Sequence, residues 1–120
     1  MPWKFVGGIP LATQIADRLR EAILQGEYPL GTAFPTVRTL AEQTSVNPNT
    51  VQRALWILEE EGLLLTRTTV GRFVTEEESV IRAAAERSKE KLILDFIKRA
   101  KEKNLQCDQV IDCIRKEWNG

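Results

Sequence analysis

The first 75 residues of this 120-residue chain are divided into short segments by residues that begin or end helices. Within these segments, apolar side chains recur every three or four residues, which is typical of amphipathic helices. The pattern predicts three helices, with a loop at Glu27–Phe34 and a tight connection at residues 44–46. The predicted helices are Ile9–Leu24, Pro35–Gln43 and Pro48–Glu61. The residues that delimit them are Gly26, Pro29, Pro35, Asn47, Pro48 and Gly62.

Two short stretches after the third helix, Leu63–Leu65 and Arg72–Val74, are predicted to be strands joined by a hairpin tip at residues 68–71. An acidic run at residues 76–78 suits a helix start, because the helix dipole favours negative charge there. A long helix over Glu77–Lys103 and a last helix over Cys107–Trp118 complete the chain. The predicted fold is mainly α with a small β-hairpin: a winged helix-turn-helix domain at residues 1–75 and a two-helix C-terminal segment at residues 76–120.

Composition excludes several classes of protein. The chain has 17 basic and 17 acidic residues, so its net charge is zero and any nucleic-acid surface must concentrate positive charge locally. It has no histidine, and we find no catalytic constellation in it. We therefore predict that it is not an enzyme and that it needs no cofactor and no metal. No stretch is apolar enough for a membrane span or a secretory signal, so the expected location is the cytoplasm.

The two cysteines are Cys107 and Cys113. If both lie on one helix, a separation of six residues places them about 9 Å apart along the helix axis, which is beyond disulfide reach. We expect two free, partly buried thiols. The alternative is a metal-binding or redox pair.

The third helix has two distinct faces, because successive residues turn by about 100°. Its core side carries four apolar residues, Val51, Ala54, Leu55 and Leu58. The opposite side carries Asn49, Gln52, Arg53 and Trp56 and, in its first half, no acid that a phosphate backbone would repel. Asn and Gln can form two hydrogen bonds with adenine, and Arg can pair with guanine or phosphate. This face suits a helix that lies in the major groove of double-stranded DNA.

Three further arginines can converge on the side of Arg53: Arg38 on the preceding helix, and Arg67 and Arg72 on the hairpin. They supply the local positive charge that a neutral chain needs in order to bind DNA. We therefore predict a DNA-binding transcriptional regulator. The alternative is a winged-helix protein-interaction module without sequence-specific DNA binding, in which Trp56 and Ile57 form the contact.

Six blocks of sequence occur in order between Ile9 and Thr75. They are Ile9-Pro-Leu, Gln14-Ile-Ala-Asp-Arg-Leu-Arg, Ile23-Leu-Gln-Gly, Phe34-Pro-Thr-Val-Arg-Thr-Leu-Ala, Val46-Asn-Pro-Asn-Thr-Val-Gln-Arg-Ala and Leu58-Glu-Glu-Glu-Gly-Leu. This pattern resembles the N-terminal domain of GntR-type bacterial repressors. The Val46 block and the short C-terminal segment resemble the YtrA-like subfamily. The resemblance implies a homodimeric, sequence-specific repressor that reads a palindromic operator, with half-sites about one helical turn apart.

The resemblance also implies where the DNA contacts lie, with two departures from the family pattern. Many relatives have a base-reading Arg where Pro48 stands, so specificity shifts toward Asn47, Asn49 and Arg53. The wing tip at residues 68–73 lacks the first of two usual glycines, which argues against a close approach of its backbone to the minor groove. The predicted DNA-binding residues are Thr36, Arg38, Asn47, Pro48, Asn49, Thr50, Gln52, Arg53, Arg67, Thr69 and Arg72.

The last two predicted helices each carry apolar residues at helical spacing. Two amphipathic helices bury little by themselves, so we predict that they pair with the same helices of a second chain. The alternative is that they fold back on their own domain. About 45 residues cannot enclose a typical ligand pocket, so an effector of unknown identity, if there is one, would bind at the cleft between the two parts. The predicted dimer interface is Ile81, Ala85, Leu92, Phe96, Ile97, Ile111, Ile114 and Trp118.

Overall fold

The computed structural model describes residues 3–67 and 71–120, which form two compact units. The first unit ends at Ala84, and the second runs from Ala85 to Gly120. The predicted class, mainly α with one hairpin, is confirmed. The elements are α1 (Leu11–Leu24), α2 (Val37–Thr44), α3 (Pro48–Glu60), β1 (Leu64–Arg67), β2 (Gly71–Val74), α4 (Glu78–Glu102) and α5 (Cys107–Trp118).

The helix starts are determined by local capping. Asn47 caps α3 as predicted, because its side-chain oxygen accepts a hydrogen bond from the backbone N–H of Asn49 at 2.7 Å. In α2 the cap is Thr36, whose hydroxyl accepts from the backbone N–H of Thr39 at 3.1 Å. This helix therefore begins at Val37, two residues later than the predicted Pro35.

The core of the first unit is centred on α3, which packs against α1, α2 and β1. The predicted core side of α3 is confirmed, since Val51, Ala54, Leu55 and Leu58 are all fully buried. They pack in one cluster with buried residues from the other elements, including Ile15, Leu19, Leu40, Leu64, Val74 and Ala84.

The hairpin gains a third extended segment from a region where the sequence predicts a loop. β1 and β2 pair antiparallel, with Leu64 opposite Val74. On the other edge of β2, the N–H of Gly31 donates to Val74 O, and the N–H of Phe34 donates to Arg72 O at 2.8 Å. Phe34 precedes Pro35, and a residue before proline is sterically biased toward extended backbone. Ala33 forms an isolated antiparallel bridge with Phe73, so residues 32–34 lie along this edge of β2 without forming a regular strand.

The N-terminal segment is fastened to α1. Trp3 and Phe5 pack against the core, and the guanidinium carbon of Arg18 lies 4.2 Å from the centroid of a Trp3 ring. The Gln14 side chain accepts from Val6 N at 2.9 Å and donates to the carbonyl oxygens of Val6 and Ile9, both at 2.8 Å. The first unit therefore includes residues that precede its first helix.

An ion pair joins α1 to the end of α3. Arg20 donates two hydrogen bonds to the Glu61 carboxylate, from Nε at 2.7 Å and from Nη2 at 2.6 Å, and a third to Asp17 at 2.6 Å. Arg20 and Glu61 are both partly buried. The hydrogen bonds with Glu61 stabilise the charged guanidinium and raise the pKa of Arg20.

We expect the Arg20–Glu61 pair to contribute measurably to stability. A double-mutant cycle with Arg20→Ala and Glu61→Ala should give a coupling free energy of unfolding of roughly 1 kcal/mol, because the pair is bidentate and partly shielded from water. The measurement is chemical denaturation followed by circular dichroism. The matched control is the exposed pair Glu86–Lys89, where coupling should be close to zero. Equal coupling in the two cycles would contradict the assignment.

The second unit contains the later part of α4 and all of α5. Asn104 takes a left-handed backbone conformation (φ 59°) just beyond α4, and Gln106 and Gln109 form a capping box at the start of α5. Cys107 and Cys113 are free, as predicted, but both are exposed, so the expected partial burial is wrong. The reason is that α5 has no buried residue in this single chain. Within the described residues, no helix has both the length and the apolar character that crossing a membrane requires.

Candidate nucleic-acid interface

The turn between α2 and α3 and the first residues of α3 form one exposed surface. Asn47, Pro48 and Asn49 are all solvent-exposed at the start of the helix, and Thr50 is half-buried. Ser45 reverses the chain with a left-handed backbone conformation (φ 58°). Asn47 uses one lone pair of its side-chain oxygen to cap α3, so its side-chain nitrogen is fully available to a ligand as a donor.

Arg53 lies one helical turn beyond Asn49 and is also exposed. The first half of α3 therefore presents an amide and a guanidinium to solvent from the same face. Both side chains have donors in the geometry that base edges or phosphate oxygens accept.

Arg38 extends this surface from α2. Its side chain is 90% exposed, and its Nε lies 3.4 Å from a carboxylate oxygen of Glu42, one helical turn away. Exposed pairs of this kind contribute about 0–1 kcal/mol, so a phosphate could replace the carboxylate at little cost. Thr36, at the cap of the same helix, is exposed beside it.

The wing is the hairpin formed by β1 and β2. On it, Arg67 is exposed at the end of β1, with its guanidinium carbon 5.0 Å from the centroid of the Phe73 ring. Thr69, the predicted contact at the wing tip, lies outside the described residues, as do Thr68 and Val70. The described part of the wing therefore offers Arg67 as its exposed cation for a phosphate.

Arg72 differs from the other predicted contacts. Its side chain is only 17% exposed, and its Nε donates to a carboxylate oxygen of Glu59 on α3. The expectation that Arg72 joins Arg53 on the outer surface does not match this position. Glu59 attracts the guanidinium inward, so Arg72 connects the wing to α3.

The Gln52 side chain completes this connection. The indole nitrogen of Trp56 and Nη2 of Arg72 both lie within hydrogen-bonding distance of one end of the Gln52 amide. Since both neighbours are donors only, that end must be the oxygen. In this orientation, Gln52 Oε1 accepts from Trp56 Nε1 at 2.7 Å and from Arg72 Nη2 at 2.6 Å. We call Gln52, Trp56, Glu59 and Arg72 the wing-anchor cluster.

Sequence reasoning misses the wing-anchor cluster, although a signal is present. Gln52, Trp56 and Glu59 follow one another at spacings of four and three residues, which places them on one side of a helix. The sequence alone marks Glu59 only as an acid remote from DNA. Its ion pair with Arg72 on β2 becomes evident only in the three-dimensional structure.

The structure does not form the contact that the alternative, a protein-interaction module, requires. Its predicted contact combines Trp56 with Ile57, but Ile57 packs against the core of the first unit. Trp56 is 54% exposed, and its polar group already has a partner in Gln52.

Three acids of the first unit are matched by cations. Glu42 pairs with Arg38, Glu59 with Arg72, and Glu61 with Arg20. The Arg38–Glu42 pair is exposed and can open, whereas the other two pairs are partly buried, so positive charge at this surface comes from the exposed cations Arg38, Arg53 and Arg67. Among the residues that the structure describes, no three His, Cys, Asp or Glu side chains are grouped so that they could hold a metal ion.

Comparison with known proteins connects this arrangement to a family. Residues 11–74 match the model for bacterial regulatory proteins of the gntR family. The chain is 30% identical over 117 residues to the HTH-type transcriptional regulator YhcF of Bacillus subtilis, covering 98% of this chain and 97% of YhcF. It is 37% identical over 67 residues to the HTH-type transcriptional repressor YtrA of the same species, covering 56% of this chain and 52% of YtrA.

Solved structures show the same likeness in three dimensions. A GntR family transcriptional regulator from Listeria monocytogenes matches with a TM-score of 0.82 at 28% identity, over 93% of this chain and 98% of that one. The DNA-binding domain of AraR in complex with operator ORR3 matches with a TM-score of 0.55 at 27% identity, over 62% of this chain and 90% of that one. The Listeria likeness extends through both compact units.

Proposed function

Because this chain belongs to the GntR family of bacterial regulatory proteins and is a DNA-binding transcriptional regulator, we propose that it acts as a homodimeric repressor. Each protomer places α3 in the major groove of one half of a palindromic operator. The two half-sites lie about one helical turn apart, so that both copies of α3 enter the major groove on the same side of the DNA. The carrying observation is the exposed face of α3, where Asn49 and Arg53 are exposed, together with the surface that Arg38 and Pro48 line next to the start of this helix.

Four of the predicted contact residues have one of two roles in this proposal. Asn49 and Arg53, on the outward face of α3, contact base edges. Arg38 and Arg67, on either side of α3 in the chain, contact phosphates and fix the position of the helix. The operator complexes of the AraR domain support such a docking, since that domain resembles part of this chain. The remaining predicted contacts at the turn and the cap are Thr36, Asn47, Pro48 and Thr50.

The proposal of a homodimer rests on the second unit, the residues of α4 and α5 that follow Ala84. Leu92 is 72% exposed, and Ile93, Leu94, Phe96 and Ile97 are exposed as well. At about 100° per residue these side chains span roughly 200° of the circumference of α4. A helix that is apolar over more than half of its circumference is stable only when other protein covers it, and α5 alone cannot cover so wide an arc.

A groove between α4 and α5 supports the same proposal. It is lined by Ile93, Phe96 and Ile97 from α4 and by Ile111 and Ile114 from α5. Trp118, at the end of α5, is 81% exposed, and contiguous apolar surface of this kind marks protein–protein contacts. We assign the groove to a second copy of the chain and not to a small-molecule effector.

Two of the predicted interface residues lie elsewhere. Ile81 packs against the core of the first unit, next to the buried Ala84. Ala85 is half-buried at the start of the second unit. The proposed interface therefore rests on Leu92, Phe96, Ile97, Ile111, Ile114 and Trp118. Of the predicted dimerisation segment, residues 76–120, the part that carries this proposal is the second unit, which begins at Ala85.

The proposal of repression rests on the relatives. YtrA is named a transcriptional repressor, and it matches this chain over 67 residues. A regulator that binds an operator acts where bacterial DNA lies, so we place this chain in the cytoplasm. Occupation of an operator by the dimer would then block transcription of the adjacent genes.

Selection of bound sequences from random double-stranded DNA tests the proposal. We expect the wild-type protein to enrich a palindrome, and Arg53→Ala to lower affinity for that site by about 10- to 100-fold, as loss of roughly 1 kcal/mol at each of the two half-sites does. Arg87→Ala is the matched control, because Arg87 is exposed and belongs to α4 in the second unit. It should leave affinity unchanged.

Two results would oppose the proposal. If wild type enriches no sequence over random DNA at moderate salt, sequence-specific binding is excluded. If Arg53→Ala and Arg87→Ala bind equally well, α3 does not read the site.

A further inference from the structure

We propose that Gln52 reads DNA only as a hydrogen-bond donor, and that the wing-anchor cluster imposes this restriction. Gln52 then prefers guanine, whose O6 and N7 both accept, or thymine, whose O4 accepts, over adenine, whose N7 accepts but whose N6 amino group is a donor that the Gln52 nitrogen cannot pair with. It does not form the two-bond pair with adenine that its residue type suggests. This inference rests on the proposed function, in which α3 lies in the major groove.

The restriction follows from how the Gln52 oxygen is used. A two-bond pair with adenine needs the amide oxygen to accept from N6 and the amide nitrogen to donate to N7. The oxygen already accepts from Trp56 Nε1 at 2.7 Å and from Arg72 Nη2 at 2.6 Å. An amide oxygen has two lone pairs, so both are occupied. The nitrogen, which has two N–H groups and cannot accept, remains for the base.

Glu59 keeps the cluster in this state. Its carboxylate accepts from Arg72 Nε, and both side chains are largely shielded from water. Charge-assisted hydrogen bonds are stronger than neutral ones, so Glu59 holds the guanidinium in reach of Gln52. Arg72 lies on β2 and Glu59 on α3, so the same bond fixes the wing to the helix. Glu59 and Arg72 are thus positioning residues for base recognition by Gln52.

The experiment compares base preferences of full-length variants by selection from random duplex DNA. Gln52→Ala identifies the position that Gln52 reads, since preference there should be lost relative to wild type. At that position, we expect wild type to favour guanine or thymine on the contacted strand over adenine by about tenfold. The double variant Trp56→Phe/Arg72→Met removes both donors from the oxygen while keeping an aromatic ring and a long side chain. Its preference should move toward adenine. Arg87→Met controls for the lost charge and should select as wild type does.

Each outcome supports or overturns the inference. Adenine selected by wild type at the Gln52-dependent position overturns it and leaves the proposed function standing. It is likewise overturned if Gln52→Ala changes no position, or if the double variant binds and keeps the wild-type base. If wild type selects no sequence, the proposed function itself fails. If the double variant does not fold, the comparison of wild type with Gln52→Ala still decides the question.

A measurement on the free protein tests the hydrogen bonds without DNA. We expect the indole N–H of Trp56 to exchange with solvent several-fold more slowly in wild type than in Gln52→Met, because methionine has a similar length but no amide oxygen. Equal exchange rates in the two proteins would overturn the assigned orientation of Gln52.

Discussion

Phe96→Asp is expected to convert the protein to a monomer and to weaken operator binding by about 10²- to 10⁴-fold, because two linked recognition helices gain that much from binding together. Phe96 lines the apolar groove between α4 and α5 and is 46% exposed in the single chain. In a dimer the introduced carboxylate would be buried in apolar surroundings without a partner, which is strongly unfavourable. In a monomer it would remain in water at little cost.

Light scattering measures the mass in solution, and titration of labelled operator measures the affinity. Arg87→Asp is the matched control, because it places the same carboxylate on α4 outside the apolar groove. It should remain dimeric and bind normally. Circular dichroism should show that Phe96→Asp retains its helices in the first unit. A wild-type protein that is monomeric at concentrations where it fills the operator would refute the dimer.

Operator affinity should depend steeply on salt, although the chain has no net charge. If Arg38 and Arg67 of two protomers each neutralise one phosphate, about four counterion charges are released on binding. The slope of log affinity against log salt is then roughly −3.6, and raising salt from about 50 to 200 mM lowers affinity about 10²-fold. The reason is that the phosphate backbone responds to the local cations, whereas Glu59 and Glu61 stay paired with Arg72 and Arg20.

Arg38→Gln tests whether the salt dependence comes from a phosphate contact of Arg38 or from the net charge of the chain. Since Arg38 is exposed and would be lost from both protomers, the slope should become shallower by about 2. Arg87→Gln removes the same charge from α4 and should leave the slope as it is. A slope near zero in wild type, or an identical slope in Arg38→Gln and Arg87→Gln, would exclude the proposed phosphate contacts. Fluorescence anisotropy at several salt concentrations gives these values.

The helices can be predicted because their signals are local. Asn47 and Pro48 determine the start of α3 through one side-chain hydrogen bond and one fixed backbone angle, and both act within three residues. The bounds of α5, Cys107–Trp118, agree with the prediction for the same reason, since Gln106 and Gln109 cap it. Core residues such as Leu55 follow from helical spacing alone.

The features that sequence reasoning misses depend on contacts between distant parts of the chain. Arg72 looks like a surface cation in the sequence, and only its approach to Glu59 shows that it is held inside the wing. Residues 32–34 have no strand pattern of their own, and their hydrogen bonds and isolated bridge to β2 depend on the open edge that β2 offers them. The pattern places Gln52 correctly on α3, but the atoms it has left for DNA depend on Trp56 and Arg72.

The fastening of the N-terminal segment by Gln14 bears on where this domain can be cut. The family match spans residues 11–74, yet Trp3 and Phe5 before it and Ile81 and Ala84 after it pack on the same core. A fragment trimmed to the matched residues would expose apolar surface at both ends and would be prone to aggregate. A family match records where related sequences agree, whereas the limits of an autonomous folding unit are set by the apolar side chains that must be shielded from water.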